Sequence, residues 1–96
     1  HMSKPKTIDD YRSTHDTNVV VPNKIRAALA AMLKEGPEQW DYEADFIKRA
    51  GVSQTQIAAF RESFTDHIVE APAVHGRAAR RVWFADAKVA KKVRSS

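Results

Sequence analysis

Gly51-Val52-Ser53 constrains this chain more tightly than any other stretch. It separates two short segments, each with an apolar face, and every position in it has a local task. Gly51 supplies a residue that tolerates positive φ, which a sharp bend between helices demands. Val52 is apolar and suited to plug the gap between them. Ser53 is a good helix N-cap, and Gln56, three residues on, can complete a capping box. Phe46, Ile47 and Ala50 form the inner face of the segment before the bend. Ile57, Phe60 and Phe64, at i, i+3 and i+7, form that of the segment after it. The chain is therefore expected to fold back at residue 51 with two helices meeting at a steep angle.

The remaining sequence frames that corner. Residues 1–18 are polar and read as a mobile arm. His1-Met2 is taken as a cloning scar, and Thr7 can cap a short helix. Residues 19–96 make one domain, since a chain of 96 residues builds only a single modest core. The first helix is expected from Pro22 to Glu35, with Ile25, Ala28, Leu29, Met32 and Leu33 facing inward and Gly36-Pro37 stopping it. "EQWDY" reads as a connection or brief strand anchored by Trp40 and Tyr42. Helices over 43–50 and 53–65 follow. "HIVEAPAV" and "RRVWFA" are β-prone runs around a hairpin tip, "HGRAA", and Pro72 confines or ends its strand. Alternation along the second run places Val82 and Phe84 on one face and Arg81 and Trp83 on the other, so one aromatic set is expected outside the core. Asp86 caps a last helix, with Val89 and Val93 turned inward. Asp41, Glu43 and Asp45 read as a solvated helix start.

Charge is unevenly spread. Up to Phe46 there are six Lys/Arg against eight Asp/Glu, whereas from Ile47 onward there are ten against four. A basic half on a small domain suggests a face for a polyanion. There is no cysteine, which excludes disulfides and thiolate metal sites and fits a reducing cytoplasm. No signal-peptide pattern or membrane-spanning run is visible, so no membrane role is expected. His15, His67 and His75 lack metal-ligand spacing, and no phosphate loop or nucleophile elbow is present. Neither catalysis, a metal, a cofactor nor a small-molecule ligand is expected.

The stretch "FIKRAGVSQTQIAAF" resembles the helix-turn-helix of bacterial and phage repressors, in which an Ala-Gly-Val-Ser corner joins an apolar helix to a recognition helix. It departs at Ile47, where the family usually places a small residue. A hairpin after such a motif is the order of a winged helix. The resemblance implies a mainly α fold with a small β-hairpin, that is, a winged helix-turn-helix. It also implies sequence-specific binding of double-stranded DNA. Ser53, Gln54 and Thr55 would enter the major groove first, with Ala58 allowing close approach and Arg61 reaching a guanine or a phosphate. Lys48 and Arg49 would hold the DNA backbone, and Arg77, Arg80 and Arg81 would make a basic wing. A small phage or bacterial factor is implied, acting in transcription, recombination, replication or packaging, with homodimerisation expected from half-site symmetry. The rival expectation is a protein-interaction module on the same scaffold, presenting Trp40, Tyr42 or Trp83 to a partner.

Overall fold

The computed structural model describes residues 16–96. The Thr7-capped helix and the first fifteen residues of the expected arm lie outside it. Residues 16–18 of that arm belong to a π-helical turn, Asp16–Val20, which leads directly into α1 (Val21–Glu35). Pro22 sits in the first turn of α1, where its missing N–H costs nothing. Ile25, Ala28, Leu29 and Met32 are buried, but Leu33 is 48% exposed. Leu33 lies off the face that buries Met32, and lines only a groove with Leu29, Phe64 and Ala85.

After Gly36-Pro37 comes β1 (Trp40–Tyr42), then α2 (Glu43–Ala50), the bend, and α3 (Gln54–Phe60). Gly51 has φ +70°, in the left-handed region, and its N–H closes α2 by donating to the Ile47 carbonyl at 3.0 Å. Val52 is buried behind the bend. Both capping-box bonds form: Gln56 N–H donates to Ser53 Oγ at 3.1 Å, and Ser53 N–H donates to Gln56 Oε1 at 3.0 Å. No heavy atom lies within 4 Å of where a Cβ on Gly51 would stand. Gly51→Ala therefore costs only the backbone term, and urea unfolding should show a loss of about 1–2 kcal/mol.

The helix expected to continue to Thr65 gives way at Arg61 to a 3₁₀ segment, Arg61–His67, broken at Phe64 (φ −128°, ψ 23°). Glu62-Ser63-Phe64-Thr65-Asp66 is rich in weak helix formers, and the change of path buries Phe64 against Trp83.

β2 (Ile68–Ala71) and β3 (Arg80–Phe84) form the hairpin, and β1 pairs with the other side of β3. The sheet is antiparallel in the order β1-β3-β2. Pro72 ends β2. The tip turns at His75 and Gly76, both at positive φ, as a two-residue I′ turn requires, and Arg77 N–H donates to the Val74 carbonyl at 2.9 Å. α4 (Ala87–Arg94) closes the chain, capped by Asp86.

Both faces of β3 are covered, contrary to the expectation of an aromatic set outside the core. Trp83 is fully buried on the α1–α3 side and stacked on Phe46, with ring centroids 4.4 Å apart and planes 6° off parallel. Val82 and Phe84 are buried on the other side beneath α4, together with Ala90. Ala90 is the fully buried residue of α4, and Val89, half-buried, packs against the same cluster as expected, whereas Val93 is exposed. Trp40 is likewise exposed, at 45%, rather than an anchor of the core. The molecule is mainly helical with a small three-stranded antiparallel sheet.

Candidate nucleic-acid interface

The bend turns one side of α3 outward. Ser53, Gln54, Thr55, Ala58 and Ala59 are exposed, while Ile57 is fully buried and Phe60 packs against the core. This division follows from the spacing of apolar residues along the helix. It leaves a surface of a hydroxyl, an amide, a second hydroxyl and two methyl groups. Glu62, also exposed, stands just beyond it.

The residue that organises this surface is Glu43, which sequence reasoning placed in a solvated helix start. It is 8% exposed. Its Oε1 accepts from Arg61 Nη2 at 2.6 Å and from Gln54 Nε2 at 3.4 Å. Its Oε2 accepts from Arg61 Nε and Trp83 Nε1, each at 3.0 Å. Arg81 Nη1 lies 3.8 Å from the same carboxylate. One side chain at the head of α2 thus ties together the start of α3, the turn after it and the base of the hairpin. Burial works to raise the Glu43 pKa, but the hydrogen bonds from Arg61 and Trp83 outweigh it and hold the carboxyl below its ordinary value. A signal for this was present in the spacing: Glu43, Phe46, Ile47 and Ala50 fall at i, i+3, i+4 and i+7, on one face of α2.

The cations expected at the interface divide into two groups. Arg61 is half-buried and committed to Glu43, so its guanidinium is not a free donor at the surface. Arg49 donates through Nε to Asp41 at 2.8 Å and through Nη1 and Nη2 to Glu35 at 2.7 and 3.2 Å. These bonds stabilise its charged form and hold the Glu35 carboxyl low. Arg81 pairs with Glu70 at 3.2 Å. In each case an acidic residue from a neighbouring element lies within reach of a long side chain, and the pair forms internally. Arg80 is exposed, with its guanidinium 4.9 Å from the centre of the Tyr42 ring. Lys48, in the last turn of α2 just before the bend, and Arg77, at the hairpin tip, are exposed and make no ion pair among the described residues. Lys24, which the sequence reading passed over, reaches from α1 to the Gly51 carbonyl at 3.5 Å and puts a further cation at the bend.

Among the described residues no cluster of His, Asp and Glu could hold a metal ion, and no helix is long and apolar enough to cross a membrane. His67 faces its Nδ1 to the Phe84 carbonyl at 2.9 Å. No family model, curated protein or solved structure matches the chain.

Proposed function

We propose that this chain is a winged helix-turn-helix protein that binds double-stranded DNA, with α3 as recognition helix and the β2–β3 hairpin as wing. The observation that carries the reading is the outward face of Ser53, Gln54, Thr55 and Ala58, joined through Glu43 to the base of the cationic hairpin. The β2–β3 hairpin that follows the two helices of the bend supports the winged-helix part of this reading.

In this reading Gln54, Thr55 and the methyl of Ala58 meet base edges. Gln54 offers adenine an amide pair, and Thr55 and Ala58 offer apolar contact to thymine methyls. Lys24, Lys48, Arg77 and Arg80 hold phosphates, while Arg49 and Arg61 stiffen the scaffold. No catalytic step is assigned.

Salt dependence tests this division. Three or four phosphate contacts give a slope of about −2.7 to −3.6 in log affinity against log salt, so raising salt from 50 to 200 mM should weaken binding roughly 40- to 150-fold. A mobility-shift titration at the two concentrations measures it. A protein that shifts no duplex at either concentration would be an interaction module instead.

A further inference from the structure

We infer that Glu43 is a positioning residue for base recognition. It turns the Gln54 side chain so that the amide oxygen faces outward, and so makes Gln54 a reader of amino bases, adenine or cytosine, over guanine or thymine. This rests on the DNA reading above and adds to it the class of base that the first residue of α3 selects.

Gln54 opens α3, at the end of the helix that enters a groove first. Its primary amide is a donor on one side and an acceptor on the other, and an unrestrained amide turns either side outward. An ionised carboxylate has no proton to give. The part of Gln54 that stands against Glu43 is therefore the donor, Nε2, 3.4 Å from Glu43 Oε1. Oε1 of the glutamine is left on the far side. The bond is long, yet it decides direction, because the reversed amide would set two acceptor oxygens against each other.

Glu43 cannot turn to follow Gln54. Arg61 grips both of its oxygens, with Nη2 2.6 Å from Oε1 and Nε 3.0 Å from Oε2, and the fully buried Trp83 donates to Oε2 at 3.0 Å. These donors come from the 3₁₀ segment and from β3, outside α2 itself. A buried carboxylate fixed in this way is a rigid reference for an exposed amide beside it. In the major groove adenine and cytosine present an amino group, N6 or N4, where guanine and thymine present a carbonyl oxygen, O6 or O4. The outward Oε1 accepts from the amino bases and meets the others oxygen to oxygen. Glutamine at position 43 would lift the constraint, since an amide there can donate as well as accept and Gln54 could then present either side.

Selection from a pool of sequence-randomised duplexes, run with the whole chain, tests the orientation. The wild type should enrich duplexes with one position where adenine or cytosine outnumbers guanine or thymine by about fivefold or more. Gln54→Met should lose that preference and keep the others, which locates the position. Glu43→Gln should bring the ratio there to within about twofold while the other positions hold. Ratios within one protein do not depend on its overall affinity, and a general loosening of α3 would blur every position alike. ¹⁵N relaxation on the wild type without DNA needs no variant to fold: the Gln54 side-chain amide should be more ordered than that of Gln39, which is also exposed. The inference is overturned, with the DNA reading intact, by enriched duplexes in which no position depends on Gln54 or that position favours guanine or thymine. A ratio unmoved by Glu43→Gln, equal blurring at all positions, or a Gln54 amide as mobile as that of Gln39 would do the same. A pool with no enriched duplex would remove the DNA reading and the inference with it.

Discussion

Glu43→Ala should lower the melting temperature by about 12–24 °C, corresponding to a loss of roughly 3 kcal/mol in a domain of this size. The substitution removes a single carboxylate but strands several groups. Trp83 Nε1–H, on a fully buried ring, loses its acceptor, and the half-buried Arg61 guanidinium loses its counter-charge. A buried donor left without a partner costs about 1–3 kcal/mol, and an ionised one more. The cost comes from breaking the pair rather than from the pair's net worth, so removing both charges should be milder. Glu43→Leu combined with Arg61→Met should recover part of the loss, leaving chiefly the unpaired indole. A Glu43→Ala protein melting within a few degrees of wild type would show that water replaces the carboxylate without penalty.

The same site sets the response to acid. Because the folded state holds the Glu43 carboxyl below its ordinary value, the folded protein binds a proton there less readily than the unfolded chain. This contribution is fully present above the ordinary carboxylate range and is lost as pH falls through the lowered value. Melting temperature should therefore stay level from neutral pH down to about 5 and drop below about 4.5, with a shallower acid limb in Glu43→Gln. The exposed Glu35 carboxyl, held low by Arg49, acts in the same direction.

The bend was legible in the sequence because its causes are local. Gly51, Val52, Ser53 and Gln56 act within six positions of one another, and each performs the task that its side chain suggests. The hairpin was legible for the same reason, through Pro72, Gly76 and the β-branched runs. Glu43 was not, because its partners lie 11, 18 and 40 positions away, and helical spacing alone does not say what a carboxylate on an apolar face will meet. The arginines were misjudged for a related reason. Counting cations gave a strongly basic surface, but Arg49, Arg61 and Arg81 found carboxylates on other elements, and a long guanidinium side chain satisfies itself internally wherever an acid is in reach. Alternation correctly divided Trp83 from Val82 and Phe84, yet it carried no information that α4 would fold over the second face. Ala90 and Val89 make that contact, and nothing local to either says which surface the helix will meet.

The sharpest consequence of the DNA reading falls on Ala58, where a carboxylate should weaken duplex binding at least 100-fold, or about 3 kcal/mol. Ala58 is exposed and touches none of the core, and glutamate is a good helix former, so Ala58→Glu should leave stability within about 0.5 kcal/mol of wild type. Bound in a major groove, the new side chain would bring two separate costs. Its bulk holds the helix backbone away from the base edges that Gln54 and Thr55 must reach. Its charge adds to the phosphates already facing the groove. The two parts can be divided. Ala58→Leu adds bulk without charge and should show only the first, while the excess loss in Ala58→Glu should shrink as salt rises and screening shortens the range of the repulsion. Ala30→Glu, on α1, changes net charge equally at another exposed position and should cost less than tenfold. Equal losses at residues 30 and 58 would mean that overall charge alone governs binding, and α3 would then have no claim to be the helix that reads the DNA.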